Sequence, residues 1–333
     1  MKIAINGMGR IGRTALKVIL EHKELEIIAV NDIVAIENVA YLLNYDTVYG
    51  KYESKVRHTE TALIVGDKTI SFYSERNPEE LPWEELHIDL VIESTGVFTT
   101  YEDAEKHVKA GAKTVIISAP TNSVNAPTVV HGVNTEAGHT SIFSCASCTT
   151  NNISPIVEIL GRRLGIKKAI MTTVHAYTAS QTAVDGPNKK NFRMGRASAA
   201  NIIPTTTGAA IATTKALPEY EGKFDGIAIR VPIPVGSLSD MTFVMDKNVT
   251  VDQVNIILEE EAKTDRYKDV IAITYDPIVS SDIIKSPYAS TADLSMTRVV
   301  DGDLLKVMTW YDNEWGFTNQ MVRQILNIKN NQK

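Results

Sequence analysis

Cysteine, clusters of one charge and long apolar runs are nearly absent from this 333-residue sequence. The two cysteines, Cys145 and Cys148, provide too few ligands for a zinc site and exclude a disulfide scaffold, so we expect a reducing compartment and no metal. No apolar run reaches the ~20 residues that span a membrane, and no charged and apolar leader precedes the first predicted strand. We therefore predict a cytoplasmic protein without a membrane partner.

The charges that are present are mixed along the chain, with a formal net charge of −6. No basic cluster is evident, which argues against nucleic acid or an anionic membrane as the main partner. An apolar content of 44% and a charged content of 22% are typical of a soluble globular protein. A chain of this length favours two domains and can bury a core without disulfides.

The first part of the chain alternates short apolar strands with helices, the pattern of a doubly wound, mostly parallel sheet. The predicted strands are 2–6, 25–31, 62–73 (a pair that turns at Gly66-Asp67), 89–94 and 113–118. The predicted helices are 10–22, 36–45 and 101–110. We assign residues 1–148 to this Rossmann-type domain.

The second part has longer strands and few helices, which favours an α+β domain with a mixed, mainly antiparallel sheet. We predict strands at 167–176, 224–233, 238–246 and 304–311, and helices at 149–164, 251–263 and 315–328. Residues 178–201 show no period, and such a long irregular loop is usually functional or packed against a partner. We assign 149–313, including this loop, to the second domain and expect helix 314–333 to pack on the first.

A dinucleotide signal lies in the glycine turn after the first strand. Gly7, Gly9 and Gly12 fit G-x-G-x-x-G, in which a pyrophosphate rests on the N-terminus of the following helix. Asp32 ends the next strand about 20 residues later, as the fingerprint requires. The alternative is a structural turn with Asp32 as a cap. An acidic residue there favours the 2′-hydroxyl of NAD and repels the 2′-phosphate of NADP.

The nucleophile signal is Cys148, which directly precedes a helical pattern. A thiol at a helix N-terminus has a lowered pKa, and His175, at the end of an apolar strand, is a candidate base. The alternative for Cys148 is a small buried hydrophobe, although its flanking serine and threonine residues make an apolar environment unfavourable. Cys145 is interpreted as structural.

Two further features are typical of anion sites. Residues 205–208 (Thr-Thr-Thr-Gly) precede an alanine-rich helix, and Arg230 ends an apolar strand before a proline-rich turn. Each also has a plainer reading, because threonine runs cap helices and an arginine at a strand end is often a solvated charge.

These features in this order resemble phosphorylating glyceraldehyde-3-phosphate dehydrogenases over essentially the whole chain. The motifs that carry the resemblance are NGMGRIGR (6–13), AVND (29–32), ERNPEELPW (75–83), ESTGVF (93–98), ISAP (117–120), ASCTTN (146–151), TTVHAYT (172–178), NIIPTTTGAA (201–210), RVPIP (230–234) and WYDNEWGF (310–317). ASCTTN and WYDNEWG after the glycine fingerprint are highly specific.

The resemblance implies a role for individual residues. Cys148 is implied as nucleophile and His175 as its base. The implied cofactor-binding residues are Gly7, Gly9, Arg10, Ile11, Gly12, Asp32, Arg76, Ser118 and Asn313, the last for the nicotinamide carboxamide. The implied substrate- or phosphate-binding residues are Ser147, Thr149, Thr178, Thr207, Gly208 and Arg230.

The resemblance also implies the reaction and the assembly. Glyceraldehyde 3-phosphate is oxidised through a Cys148 thioester, and inorganic phosphate releases 1,3-bisphosphoglycerate. The resemblance further implies a homotetramer in glycolysis, in which residues 178–201 line a neighbour's cofactor site. With Asp32 and Pro187 present, we predict a preference for NAD with tolerance of NADP.

The sequence departs from the family pattern at several positions. Cys145 stands where asparagine is usual, and Asn152 replaces a frequent cysteine four residues after the nucleophile. Met194 follows Arg193 where some bacterial relatives carry a second arginine, which puts in doubt attacking-phosphate binding through that residue.

Two alternatives remain from the sequence. An erythrose-4-phosphate dehydrogenase would share the fold and the cysteine, but water would resolve the thioester and its rate would not depend on phosphate. A binding protein without catalysis is the alternative from another class, and the complete catalytic set disfavours it.

Overall fold

The computed structural model describes residues 1–189 and 191–331, and the chain divides into two compact units. The first unit comprises Met1–Val129, Thr135–Ala146 and Met321–Lys333, and the second comprises Val130–Asn134 and Ser147–Gln320. Lys190 in the predicted loop 178–201, and the last two residues of the predicted helix 314–333, lie outside the described residues.

The first unit is built on an eight-stranded sheet in the order β10-β9-β8-β1-β2-β7-β6-β5. The pairs from β10 to β7 are parallel, and β7-β6-β5 are antiparallel. The strands of this unit are β1 (Lys2–Asn6), β2 (Glu26–Asn31), β3 (Tyr45–Asp46), β4 (Gly50–Lys51), β5 (Val56–His58), β6 (Ala62–Val65), β7 (Lys68–Tyr73), β8 (Leu90–Glu93), β9 (Thr114–Ile117) and β10 (Ile142–Ser144). Strands β3 and β4 form a separate small hairpin.

Three helices connect these strands, namely α1 (Arg10–Leu20), α2 (Ile36–Asn44) and α3 (Tyr101–Lys109). Helix α1 buries Ala15, Val18 and Ile19, which recur at helical spacing on one face. Helix α3 begins at a hydroxyl cap, because the Thr100 side chain accepts a hydrogen bond from the Asp103 N–H. The first unit is thus a doubly wound α/β domain, as predicted.

The second unit has a mixed sheet in the order β12-β13-β11-β14-β18-β16-β15, with β17 also paired to β18. Only β11-β13 and β15-β16 are parallel pairs, so the predicted mainly antiparallel sheet is confirmed. The strands are β11 (Ile166–Ala176), β12 (Ile203–Thr206), β13 (Phe224–Val231), β14 (Ser237–Met245), β15 (Ile271–Thr274), β16 (Ser290–Asp293), β17 (Arg298–Val300) and β18 (Leu304–Tyr311).

The remaining helices are α4 (Cys148–Leu164), α5 (Ala209–Ala216), α6 (Val251–Glu261) and α7 (Trp315–Asn331). Single 3-10 turns lie at Pro78–Glu80, Thr135–Gly138, Phe192–Gly195, Pro218–Tyr220, Ser280–Ile283 and Leu294–Met296. Within the predicted loop 178–201, the turn at Phe192–Gly195 is the one regular segment among the described residues. Several short strands were not predicted, because three or four residues carry too little periodicity to be recognised.

Each unit has its own apolar core. In the first unit, Trp83, Val91 and Val115 pack with other buried residues of the parallel sheet. In the second, Ile156 and Leu160 of α4 pack against the face of the sheet that carries Met241 and Phe243. Each such fully buried side chain contributes about 1.5–3 kcal/mol to folding. Helix α4, which begins at Cys148, is therefore held rigidly on its sheet.

Residues 1–189 and 191–331 contain no helix that is both long and apolar enough to cross a membrane. They also contain no group of three or more histidine, cysteine, aspartate or glutamate side chains that could hold a metal ion.

Candidate active site

The glycine turn of the first unit is shaped by close backbone contacts. Gly7 has a φ of +96°, and a Cβ atom there would lie 2.6 Å from the Thr95 nitrogen. A Cβ atom on Gly12 would lie 1.9 Å from the Gly7 carbonyl oxygen. Helix α1 can therefore pack this closely against the turn only because residue 12 is glycine. Gly9 differs, because a Cβ atom there would meet nothing within 4 Å. Its backbone therefore borders open space, as a pyrophosphate site requires.

A cavity of about 310 Å³ adjoins this turn. Four of the predicted cofactor residues line it, namely Gly7, Gly9, Asp32 and Arg76. The sequence argument did not single out the other lining residues, Asn6, Asn31, Ile33, Glu75, Ser94, Thr95, Val97 and Phe98. Several of them lie in the NGMGRIGR and ESTGVF segments, so the motifs marked the right segments without identifying the residues.

Asp32 is tied to the glycine turn by its carboxylate. One oxygen accepts a hydrogen bond from the Met8 N–H at 2.6 Å, and the other accepts one from the Val34 N–H at 2.9 Å. The side chain is therefore fixed beside the cavity rather than capping a helix. A carboxylate has about four acceptor positions, so Asp32 keeps capacity for a hydroxyl donor.

Three other predicted cofactor residues of the first unit, Arg10, Ile11 and Ser118, are not among the residues that line the cavity. Arg10 is the first residue of α1, and its guanidinium donates a hydrogen bond to Asp46 at 2.5 Å. Burial acts to raise the pKa of Asp46, but Arg10 and the backbone N–H groups outweigh it and lower the pKa. Ile11 follows in the same helical turn, and the Ser118 N–H donates to the Glu93 carbonyl at 3.0 Å. Arg10 could thus reach a cofactor through its backbone, since its side chain is engaged.

Cys148 is the first residue of helix α4 in the second unit. The Ser147 hydroxyl caps this helix and accepts a hydrogen bond from the Thr150 N–H at 3.1 Å. Ala146, just before the cap, has a φ of +60°, a conformation that non-glycine residues adopt only at some cost. The turn therefore presents Cys148 at the positive end of a 17-residue helix.

The Cys148 sulfur faces His175. Its distance to the His175 Nε2 atom is 3.4 Å. The His175 Nδ1 atom lies 2.6 Å from the carbonyl oxygen of Ala176, which can only accept. In the Nδ1–H tautomer, which this carbonyl favours, the Nε2 lone pair faces the thiol, whereas the Arg230 donor near Nδ1 acts in the opposite direction. Nucleophile and base thus have the mutual geometry that thiol activation needs.

Arg230 lies on the far side of the imidazole because it is the register partner of His175 across β11 and β13. Its Nη1 atom is 2.7 Å from Nδ1 and donates to the Ala176 carbonyl at 3.0 Å. The Arg230 Nε atom is buried without a hydrogen-bond partner. A buried donor that lacks a partner marks a position where an anion can bind.

Tyr311 at the end of β18 completes the surroundings of the pair. Its hydroxyl lies 2.9 Å from the Thr149 hydroxyl and 2.8 Å from the Thr173 hydroxyl. Its ring meets the His175 ring edge-on, with centroids 5.9 Å apart. Tyr311 was not predicted from the residues, although it lies within the quoted WYDNEWGF segment. It holds Thr149 and the imidazole in one arrangement.

The titration of Cys148 differs from the prediction. Burial of the sulfur raises the pKa of the Cys148 thiol, while Arg230, Thr149 and the backbone act to lower it. The net direction is opposite to the lowered pKa predicted from the helix N-terminus. The reason is that desolvation of a charged form in the interior exceeds the effect of a helix dipole.

His175 is neutral for a related reason. Burial and the charge of Arg230 lower its pKa to about 3, although the Ala176 carbonyl acts in the opposite direction. Near neutral pH the pair is therefore a thiol beside an unprotonated imidazole. The imidazole can accept a proton as the sulfur reacts, as general base catalysis requires.

Asn313 is connected through Ser237 to β11, the strand that carries His175. Its side-chain oxygen accepts hydrogen bonds from the Gly236 N–H at 3.2 Å and the Ser237 hydroxyl at 3.1 Å. Ser237 also accepts a hydrogen bond from the Ala176 N–H at 3.2 Å. The Asn313 amide is therefore oriented with its nitrogen directed away from these two donors.

The predicted threonine residues make mostly local contacts. The Thr178 hydroxyl lies 2.9 Å from the Ser180 hydroxyl, and the Thr207 hydroxyl accepts from the Ala209 N–H at 3.2 Å. Gly208 is the residue before α5. The structure thus brings Cys148, His175, Arg230 and Thr149 together directly, and leaves Thr178, Thr207 and Gly208 as loop residues of the same unit.

Two of the three positions that depart from the family pattern, Cys145 and Asn152, are buried. Cys145 is not part of a disulfide, and burial raises the pKa of its thiol, in keeping with its interpretation as structural. Asn152 donates to the Ala289 carbonyl and the Ser290 hydroxyl, both at 3.3 Å, and accepts from the Thr309 hydroxyl at 2.9 Å. Asn152 therefore fastens α4 to its sheet one turn after Cys148.

Comparisons with known proteins identify the family of the chain. Residues 1–101 match the glyceraldehyde 3-phosphate dehydrogenase NAD binding domain, and residues 147–313 match the C-terminal domain of the same family. Similar relatives include glyceraldehyde-3-phosphate dehydrogenases of Streptomyces coelicolor (48% identical over 97% of this chain and 96% of the relative) and Bacillus subtilis (44% identical, with the same coverage). The predicted cofactor, NAD, is thereby confirmed. The chain belongs to the glyceraldehyde 3-phosphate dehydrogenase family of NAD-dependent oxidoreductases.

Proposed function

We propose that this chain oxidises D-glyceraldehyde 3-phosphate and phosphorylates the product to 1,3-bisphosphoglycerate, through a thioester on Cys148. The observation that carries the proposal is the 3.4 Å approach of the Cys148 sulfur to the His175 Nε2 atom, with Arg230 across the ring. The thiol contacts a neutral base, and the base contacts a buried cation. This arrangement suits addition of the sulfur to the carbonyl of an anionic aldehyde.

The glycine turn supports the binding of NAD. The open backbone at Gly9 and the N-terminus of α1 suit a pyrophosphate, and the fixed Asp32 carboxylate suits a ribose hydroxyl. Gly7, Gly12, Arg10, Ile11, Arg76 and Ser118 complete the proposed cofactor residues, with Asn313 for the carboxamide. NAD, when bound, accepts the hydride from the aldehyde carbon. Because Asp32 repels a 2′-phosphate, NAD is preferred and NADP is tolerated.

His175 moves the proton in the first half of the reaction. As the Cys148 sulfur bonds to the aldehyde carbon, Nε2 takes the thiol proton and delivers it to the carbonyl oxygen, which gives a hemithioacetal. When the hydride leaves, Nε2 takes the hydroxyl proton back and the carbon–oxygen double bond of the thioester forms. The first N–H groups of α4 stabilise the oxygen while it carries negative charge.

The anion-binding residues act in the second half. A phosphate oxygen attacks the thioester carbon, and the bond between that carbon and the Cys148 sulfur breaks. The released Cys148 thiolate then takes a proton back from His175. Arg230 is proposed to hold a phosphate because its Nε atom is buried without a partner. Two anion positions are needed, and Ser147, Thr149, Thr178, Thr207 and Gly208 are proposed to supply the other donors.

The domain assignment and the assembly are proposals as well. Residues 1–148 with helix 314–333 serve cofactor binding, and 149–313 serve the chemistry. Val184 and Phe192 expose apolar side chains in the segment 178–201, as a segment packed against a partner would. These side chains support an interface at that segment, and we propose a cytoplasmic homotetramer in which the segment lines a neighbour's cofactor site.

A steady-state assay tests the proposed function. Glyceraldehyde 3-phosphate is supplied while NAD, NADP and inorganic phosphate are varied independently, and reduced cofactor is followed by absorbance. We expect a higher kcat/KM with NAD than with NADP and a rate that depends on phosphate. A rate unchanged without phosphate would favour a hydrolysing dehydrogenase, and a higher kcat/KM with NADP would contradict the role of Asp32.

A further inference from the structure

The first unit contains a buried carboxylate that neither the fold nor the proposed chemistry explains. Glu93 is the last residue of β8 and is almost completely buried. One carboxylate oxygen accepts from the Asn6 amide at 2.6 Å and from the His107 Nε2 atom at 3.1 Å. The other accepts from both the N–H and the hydroxyl of Thr95. Four donors converge on this group and occupy the acceptor positions of its two oxygens.

The protonation of His107 follows from its second partner. The Trp83 indole N–H lies 3.0 Å from the His107 Nδ1 atom, and an indole nitrogen can only donate. Nδ1 therefore accepts, the ring proton is on Nε2, and that proton is directed at Glu93. All three side chains are buried. The orientation of the histidine is thus set from the side opposite to the carboxylate.

The same network includes four residues that line the cofactor cavity. Asn6, which donates to Glu93, accepts from the Asn31 amide at 2.7 Å. Asn31 in turn donates to the Glu75 carbonyl at 2.9 Å and accepts from the Glu75 N–H at 2.8 Å. Asn6, Asn31, Glu75 and Thr95 all line the cavity. Glu93 and His107 are therefore one residue removed from the space that a cofactor would fill.

The position of Thr95 also controls the glycine turn. The Thr95 nitrogen, which donates to Glu93, occupies the space that a Cβ atom on Gly7 would need. Ser94 donates its hydroxyl to the Gly7 carbonyl at 2.7 Å. A shift of residues 94–95 would therefore shift the turn that faces the pyrophosphate.

We propose that Glu93 and His107 are positioning residues for cofactor binding, and that they act through Asn6, Thr95 and the glycine turn. The inference rests on the proposal that NAD occupies this cavity. It assigns a functional reason for a buried carboxylate that accepts hydrogen bonds from residues of the cavity wall. Loss of one of its acceptor oxygens displaces Asn6 or Thr95, so the effect appears in cofactor affinity as well as in stability.

The test replaces Glu93 by glutamine, which keeps its shape but puts an amide donor among four donors. NAD affinity is measured by calorimetry, and folding by circular dichroism and thermal unfolding. We expect NAD to bind at least about tenfold more weakly, because the glutamine amide N–H would face another buried donor and leave both without an acceptor. The rate of Cys148 alkylation by iodoacetamide, which reports on the second unit, should stay unchanged.

Asp89→Asn is the matched control. Asp89 directly precedes the same strand at its other end and accepts from the Lys2 N–H at 2.8 Å and the Lys113 ammonium at 2.7 Å. This variant should lose some stability and keep the wild-type NAD affinity. An equal loss of affinity in both variants, or a folded Glu93→Gln variant that binds NAD within twofold of wild type, would overturn the proposal.

A second pair of variants applies if Glu93→Gln does not fold. His107→Gln retains an N–H donor for Glu93, whereas His107→Leu does not, so affinity should be largely retained in the first and lost in the second. Similar affinity in the two variants would count against the positioning role. If wild-type protein does not bind NAD, or Asp32→Ala binds it unchanged, the cavity assignment itself fails instead.

Discussion

The cofactor cavity of the first unit and the cysteine site of the second are constructed in opposite ways. The cavity is shaped by backbone, where Gly7 and Gly12 admit contacts that any Cβ atom would prevent. The cysteine site is shaped by side chains, since Cys148, His175, Arg230 and Tyr311 come from one helix and three strands. Binding of a large cofactor needs a preformed surface, whereas covalent chemistry needs a few groups at defined distances.

The two regions also treat buried polar groups differently. Glu93 in the first unit accepts four hydrogen bonds. In the second unit, burial raises the pKa of Cys148 and lowers that of His175, and the Arg230 Nε atom has no partner. At Arg230, incomplete hydrogen bonding lies next to the reactive pair, where a substrate would supply the missing partner.

The largest expected effect is the loss of the nucleophile. Cys148→Ala should lower kcat by at least ~10³-fold, because no other group of the site can form the thioester. Cys145→Ala is the matched control, since this second thiol is buried and its pKa is raised. Initial rates and mass spectrometry after iodoacetamide treatment measure both. A Cys148→Ala variant that keeps dehydrogenase activity would remove the basis of the proposed function.

The next effect tests the backbone-built region. Gly12→Ala puts a methyl group 1.9 Å from the Gly7 carbonyl, and we expect ~2–4 kcal/mol of destabilisation together with weaker NAD binding. Gly9→Ala should leave stability nearly unchanged, because its Cβ atom meets no protein atom within 4 Å. Urea unfolding and calorimetry distinguish the two. Equal stability of the two variants would show that contact at Gly12 does not define the turn.

The smallest effect concerns pH. His175 has a pKa of about 3 in the folded protein because it is buried, against ~6.5 in an unfolded chain, so the unfolded state binds more protons between these values. Stability from this group is complete above pH ~6.5 and is lost as the pH falls toward 3. At pH 4.5 the loss is ~2–3 kcal/mol.

Urea unfolding of wild type and His175→Asn at pH 7 and 4.5 measures this contribution. The wild type should lose ~2–3 kcal/mol more than the variant on acidification. A loss of equal size in both proteins would show that His175 titrates near its ordinary value, and the contrast between the two regions would then be weaker.

Much of the architecture could be predicted from the sequence, because its determinants are local. Helix α1 and the hairpin of β6 and β7 follow from apolar spacing and from Gly66, whose φ is +62°. The pairing of His175 with Arg230 could not be predicted from the residues, since 54 residues separate them and only the parallel register of β11 and β13 joins them. The direction of the Cys148 pKa was missed because it depends on burial, which a motif does not specify.

The sequence by itself determined the α/β class of the first unit, the glycine turn, the NAD cofactor and the candidate nucleophile with its base. These follow from contiguous motifs, whose chemistry is carried by neighbouring residues along the chain. Only the tertiary structure decided which donors surround Glu93, that Tyr311 joins Thr149 to Thr173, and that Arg230 lies behind His175. Those relations join residues that are distant in sequence, and strand register and packing alone bring such residues within hydrogen-bond distance.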